Sequence, residues 1–288
     1  MDIPTITFRD GNKVPMLAFG AGTAWYKTAG DTTLDKTLIE LTKIAVQKGF
    51  HHLDCAEMYG TEEEVGLGIK EAGVPREKLF ITNKVSHNIE NIQTAIQETL
   101  KANFHMYLIH TPFYAKSEAD FHRAWKAMEE VKKAGLAKSI GVSNYLRADV
   151  EATLRGTSDP PVINQIEYHA YLQRANDYVP WLQEQNIQVG SFKGLTPAIR
   201  CPDGPLKEPL ARIAAAHATT EAVILLAWVM HSGIVAVTTT SKPERLDEYA
   251  NALKVKLTEA EFKEISDVGG EYHHRSTWTQ RFDKSDRS

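Results

Sequence analysis

The sequence predicts an α/β fold: a closed parallel (β/α)8 barrel with an N-terminal β-hairpin before it and a polar C-terminal tail lying over one rim. Three observations predict it. Short apolar strand-like segments alternate with segments of helical period along the chain. Three successive strand-like segments end on, or just before, an ionisable residue, namely Asp54, Lys84 and His110, and a parallel barrel gathers such side chains at one end. The length of 288 residues suits a barrel of this kind, which runs to roughly 250 residues as a single unit. No linker composition, repeat or low-complexity stretch divides the chain, so residues 1–288 read as one domain.

The first unit is a hairpin, with Thr5–Phe8 and Val14–Leu17 flanking the turn dipeptide Asp10-Gly11. From Thr33 to Lys48, Leu34, Leu38, Leu41, Ala45 and Val46 recur at helical spacing, and Gly49 is placed to cap the helix. His51–Asp54 is the next strand. A helix over Glu62–Glu71 is closed by Gly73 and Pro75 and followed by the strand Leu79–Lys84. The alternation continues through helix Ile89–Lys101 and strand Met106–His110, helix Glu118–Ala134 and strand Lys138–Ser143, and helix Ala148–Leu154 and strand Val162–Glu167. Helix Tyr178–Gln185 with strand Gln188–Ser191, and helix Ala222–Met230 with strand Val235–Thr238, complete a set counted as eight strands. By pattern alone an open doubly wound sheet is the competing arrangement. Its dinucleotide-binding form has little support: Gly20-Ala21-Gly22-Thr23-Ala24-Trp25 begins like the phosphate-binding glycine fingerprint, but Trp25 replaces the third glycine and no helix opens there.

Charge excludes some functions. A net charge of −4 leaves no electrostatic footprint for nucleic acid or an anionic membrane, and neither is expected as a partner. The two cysteines, Cys55 and Cys201, do not make a secreted disulfide framework and read as free thiols of a reducing compartment. Met1-Asp2-Ile3-Pro4-Thr5 carries no basic region followed by an apolar run, and no eighteen consecutive apolar residues occur, so a soluble cytoplasmic protein is expected. No metal-ligand set is assigned.

Leu53-Asp54-Cys55-Ala56-Glu57-Met58-Tyr59-Gly60, Ile81-Thr82-Asn83-Lys84 and Tyr107-Leu108-Ile109-His110-Thr111-Pro112 together resemble the aldo-keto reductase family, whose fold is the TIM barrel. The resemblance implies that Tyr59 donates a proton, Lys84 lowers its pKa, Asp54 orients the lysine and His110 helps to place the substrate carbonyl. The chemistry is consistent. Hydride transfer to a ketone builds negative charge on oxygen, which a proton donor and directed hydrogen bonds must meet. A free tyrosine, with pKa near ~10, is a poor acid unless its phenolate is stabilised, and a neighbouring ammonium does that. Taken singly, each residue has a plain structural reading: Asp54 as a helix cap, Tyr59 as a rim aromatic, Lys84 as a surface charge, His110 as a core histidine. Their joint placement at successive strand ends favours the chemical one.

The resemblance covers nearly the whole chain. Gly60-Thr61-Glu62 with Val65-Gly66, Gly141-Val142-Ser143-Asn144 and Asn164-Gln165-Ile166-Glu167-Tyr168-His169 are similar to family runs. By that likeness Ser143, Asn144 and Gln165 bind the carboxamide of NADPH, whose donors and acceptors suit amides and hydroxyls. Capping of the next helix is the structural reading of Ser143 and Asn144. Gly22 and Thr23 join the cofactor set. Where the family has A-Y-S-P-L, this chain has Ser191-Phe192-Lys193-Gly194-Leu195, so Phe192 stacks without a hydroxyl and Lys193 becomes a pyrophosphate contact. The family's P-K-S lysine is missing from Thr238-Thr239-Thr240-Ser241-Lys242-Pro243, with Lys242 as displaced charge. Arg245 matches the arginine that grips the 2′-phosphate, and Glu248 the acid near the adenine amine, while Tyr249 stands where asparagine is usual. The connection between Leu100 and Tyr107 is several residues shorter than in the family.

The runs Gly22 to Lys27, His110 to Phe113 and Thr-Ser-Lys-Pro look most like the fungal keto-amide and conjugated polyketone reductases. That implies a substrate pocket lined by Trp25, Thr111, Phe113 and Trp278 around Tyr59 and His110. An NADPH-dependent reductase of small carbonyl compounds, monomeric or weakly dimeric, is the expectation. A nicotinamide-sensing module that regulates a partner protein is the alternative, and His110 disfavours reduction of a conjugated carbon-carbon bond.

Overall fold

The computed structural model describes residues 3–28, 30–98, 104–283 and 285–288. β1 (Thr5–Thr7) and β2 (Lys13–Pro15) form the antiparallel hairpin, with Ile6 opposite Val14. Its second arm stops at Pro15 instead of Leu17. Met16 still donates to the Pro4 carbonyl at 2.9 Å, and Leu17 belongs to the fully buried strand β3 (Leu17–Gly20).

β3 is followed by β4 (His52–Asp54), β5 (Phe80–Val85), β6 (Phe104–Ile109), β7 (Ala137–Ser143), β8 (Ile163–Glu167), β9 (Gln188–Phe192) and β10 (Val235–Thr238). These eight strands close a parallel barrel in which β10 pairs with both β9 and β3. Closure removes the open-sheet alternation. The count of eight therefore holds through β3, a strand that the sequence reading does not separate from the hairpin.

The helices are α1 (Lys36–Gln47), α2 (Glu62–Ala72), α3 (Ile92–Glu98), α4 (Glu118–Lys133), α5 (Arg147–Arg155), α6 (Tyr178–Glu184), α7 (Thr196–Ile199), α8 (Lys207–Ala216), α9 (Glu221–His231), α10 (Glu244–Ala250) and α11 (Glu259–Glu271). Caps explain the shifted starts. α1 opens at Lys36, not Thr33, because the Asp35 carboxylate accepts the backbone N–H groups of Thr37 and Leu38 at 2.8 and 3.2 Å. α11, absent from the sequence reading, carries a legible capping box in Thr258 and Glu261. The segment expected as a helix over Ile89–Lys101 begins as a 3-10 turn, Ile89–Asn91, before α3. Its expected end, and most of the short connection before Tyr107, fall on residues 99–103, outside the described residues.

The hairpin closes one end of the barrel. Phe8 and Val14 pack with Phe80, Met106, Leu108, Val162, Ile163 and Val235, apolar side chains in or next to the strands. Burial of each such side chain contributes on the order of 2 kcal/mol. Asp10 pins the turn from outside by accepting the Ser139 hydroxyl at 2.8 Å. The opposite end remains open, and the tail after α11 crosses it with Thr277 and Trp278 against the cavity. Among the described residues no single helix is long and apolar enough to cross a membrane; α8 and α9 pass by length and composition only as a pair bent by 91°.

Candidate active site

The C-terminal ends of the strands surround a cavity of about 350 Å³. Asp54 ends β4, Lys84 lies one residue before the end of β5, and His110 follows β6 directly. Tyr59 ends a 3-10 turn, Glu57–Tyr59, that rises above β4. The four predicted residues therefore meet. Lys84 Nζ donates to Asp54 Oδ1 at 2.5 Å, to the Cys55 carbonyl at 2.8 Å and to the Tyr59 hydroxyl at 3.4 Å. The rings of Tyr59 and His110 stand edge to face, 5.6 Å between centres. Tyr59 also rests against the bare α-carbon of Gly22, where a β-carbon would come within 2.7 Å of the ring.

Electrostatics here differ from the sequence expectation in one respect. Burial pushes the Tyr59 phenol well above its ordinary value, and the Asp54 carboxylate adds to the rise. Lys84 does not reverse this, because its shortest bond neutralises it against Asp54 and its contact with the phenol is the longest of the three. Tyr59 therefore enters any reaction protonated. Burial, followed by the charges of Lys84 and His87, holds His110 well below the usual histidine range, so its ring is neutral.

Two residues that the sequence reading missed organise this corner. The Ser86 hydroxyl lies 3.0 Å from His110 Nδ1; when it donates there, the ring proton resides on Nε2. Glu57, in the same turn as Tyr59, accepts the backbone N–H groups of Ser86 and His87 at 2.7 and 3.0 Å. Ser86 follows β5 by one residue, a strand-end position that pattern reading could have flagged; the role of Glu57 needs the fold.

The cofactor candidates divide. Gly22, Thr23, Asn144, Gln165, Phe192, Lys193, Leu195 and Thr239 line the main cavity. Gln165 Nε2 donates to Asp54 Oδ2 at 2.7 Å, and Asn144, in the left-handed region at φ 61°, donates to the His110 carbonyl at 2.9 Å. Ser143 and Ser191 are buried, and their hydroxyls donate to the Gln165 and Tyr168 carbonyls at 2.7 Å. Thr240 accepts the Lys242 N–H at 3.0 Å, and Ser241 and Lys242 are exposed outside this cavity. Arg245 and Glu248 line a second cavity of about 520 Å³ beside Tyr249. Ile199 lines both cavities, which are therefore neighbours.

Of the substrate-wall candidates, Trp278 lines the cavity with Tyr59 and His110, and Phe113 supports it edge to face at 4.9 Å. Thr111 is half-buried and off the lining. Trp25 is turned inward, its indole N–H donating to Thr239 Oγ1 at 3.3 Å, and its neighbour Tyr26 faces the cavity 4.9 Å from the Tyr59 ring. Trp25, expected in the substrate wall, is therefore off the lining, and Tyr26 takes a place there.

Comparison with known proteins accords with this geometry. A model of the Aldo/keto reductase family matches residues 18–196 and 204–269. An NAD/NADP-dependent indole-3-acetaldehyde reductase of Schizosaccharomyces pombe is 38% identical over 281 residues, covering 95% of this chain and 98% of its own. An NADPH-dependent alpha-keto amide reductase of Saccharomyces cerevisiae is 32% identical over 296 residues, covering 96% and 95%. The crystal structure of a Bombyx mori aldo-keto reductase in complex with NADP superposes with a TM-score of 0.86 at 26% identity, covering 98% of each chain.

Proposed function

The chain belongs to the aldo/keto reductase family, and from that premise we propose that it is an NADPH-dependent carbonyl reductase of activated ketones and aldehydes. The observation that supports this most is the Lys84 ammonium held between the Asp54 carboxylate and the Tyr59 hydroxyl at the base of an open cavity. A bound reduced nicotinamide supplies the hydride. The chain supplies the rest: the Tyr59 O–H protonates the carbonyl oxygen, Lys84 stabilises the phenolate left behind, and His110 Nε2–H holds the oxygen in line.

The donor set fits such a cofactor. Asn144 and Gln165 face the cavity with amide groups, Phe192 offers a ring face, and Lys193 offers a cation. Arg245 and the exposed Lys242 would meet a 2′-phosphate, which favours NADPH; one fungal relative is named for both cofactors and another for NADPH. We take residues 1–288 as one cytoplasmic barrel domain, monomeric or weakly dimeric. A cofactor sensor without turnover gains no support, since the relatives are named as reductases.

Trp278, backed by Phe113, is an apolar part of the lining, and Tyr59 and His110 stand together in the same cavity; Lys193 and Arg200 are its lining cations. The guanidinium of Arg281 lies over the Phe113 ring at 4.1 Å, outside the lining. Uncharged electron-poor ketones, such as α-keto amides, α-keto lactones, diketones and isatin-like compounds, are therefore expected to surpass α-keto acids, which would desolvate an unpaired carboxylate there. The test follows NADPH absorbance with an α-keto amide and its parent acid. The amide should have a kcat/KM at least about tenfold higher, the equivalent of ~1.4 kcal/mol; equal values mean that a cation, Lys193 or Arg200 of the lining or Arg281 beside Phe113, reaches the substrate.

A further inference from the structure

The tail lines the cavity with Thr277 and Trp278, and the backbone of Trp278 is in the left-handed region at φ 58°. A bulky residue adopts that conformation only where its surroundings over-determine it. What fixes it is a carboxylate. Glu167, fully buried at the end of β8, accepts the backbone N–H groups of Ser276 at 2.7 Å and Thr277 at 2.9 Å, and also the Thr277 hydroxyl. His169 Nε2 lies 3.2 Å from the same carboxylate. Burial acts to raise the pKa of Glu167, but the hydrogen bonds from His169, Thr277 and Ser276 outweigh it and bring it down to about 2. On the far side the Trp278 indole N–H donates to Asn144 Oδ1 at 3.1 Å, and its ring meets Phe113. The two residues that lead into Trp278 thus hang from one side chain of the barrel.

We infer that Glu167 is a positioning residue that sets substrate specificity: through Ser276 and Thr277 it holds Trp278 in the cavity as the wall for planar, conjugated carbonyl compounds. The inference rests on the reductase reading above and deepens it. A carboxylate at this point accepts from the Ser276 and Thr277 N–H groups, the Thr277 hydroxyl and His169 and needs to give none, whereas a carboxamide must present N–H to N–H. Neutralising the group therefore frees the tail without opening a cavity in the core.

The test compares wild type and Glu167→Gln on two substrates, isatin and the small diketone 2,3-butanedione, under saturating NADPH. The expected result is a rise of about tenfold or more in KM for isatin, with kcat for butanedione changed less than twofold. Trp278→Ala should raise the isatin KM similarly, and Glu167→Gln added to it should raise it no further. A readout independent of turnover is the indole N–H resonance of Trp278, assigned by its loss in Trp278→Phe: it should move toward the solvent-exposed position in Glu167→Gln. Should Glu167→Gln not fold, Thr277→Val removes one of the donors and should raise the isatin KM about threefold. An unchanged isatin KM and indole resonance, or an equal loss on both substrates, overturns the inference. Absence of turnover in the wild type defeats the reductase reading instead, and the indole resonance then still decides the role of Glu167.

Discussion

The corner around Asp54, Lys84 and His110 and the Lys242–Arg245 side of the same rim are built in opposite ways. Asp54, Lys84 and His110 are 2%, 0% and 5% exposed and are bonded to neighbours in the barrel itself. Lys242 and Arg245 stand exposed on the β10 loop and α10. The first region is organised by strand ends and buried hydrogen bonds, so its geometry exists before a ligand arrives. The second offers charge that a phosphate would complete, and a charge on a loop serves from more than one position.

The sharpest way to break that comparison is at the acid. Tyr59→Phe should lower carbonyl reduction by about 10³-fold, within the span of general acid catalysis, while NADPH binding followed by fluorescence is retained. Lys84→Met should also lower kcat more than it raises KM, because the ammonium acts on the transition state. Near wild-type turnover in Tyr59→Phe would sink the assignment.

On the other side, Arg245→Ala should weaken NADPH by roughly 10- to 100-fold, the loss of one charge-assisted contact of ~1.5–3 kcal/mol, and NADH by less than about threefold. Equal effects on the two cofactors would mean that Lys242 alone recognises the phosphate.

A smaller effect is expected at Ser86. Ser86→Ala should lower kcat about tenfold by freeing the His110 tautomer, with Ser86→Thr restoring most of it. If Ala and Thr behave alike, the hydroxyl is not what orients the ring.

The smallest effect concerns pH. Because His110 titrates well below the usual histidine range and Tyr59 well above the usual phenol range, kcat should vary less than about twofold between pH 6.5 and 8.5, without the inflection of an exposed histidine near ~6.5. Stability follows another course. Burial brings His52 down to about 4, so the unfolded chain takes up its proton first as pH falls below ~6.5, and stability drops from there toward the folded value. A urea midpoint at pH 5 below that at pH 7 is the expected measurement.

The same contrast decides what could be read from sequence. Asp54, Lys84 and His110 were legible because a strand end is a positional fact: an apolar run stops and an ionisable residue follows. β3 was not separable from the hairpin, since its boundary is one proline in a continuous apolar stretch. The inward turn of Trp25 depends on Thr239, 214 residues away, and the anchoring of the tail on Glu167 spans more than a hundred residues. Contacts of that range leave no local pattern.

Gly22 carries a consequence for heredity and for engineering. The space that a side chain would fill there is already taken by the Tyr59 ring, so the loop after β3 and the turn after β4 cannot vary independently. A single substitution at Gly22 displaces the acid before any second change can accommodate it. A library directed at this loop should therefore show a fitness cliff at Gly22 and a gentle slope at its neighbour Thr23, and lineages that reshape the nucleotide side of the rim must go around that glycine.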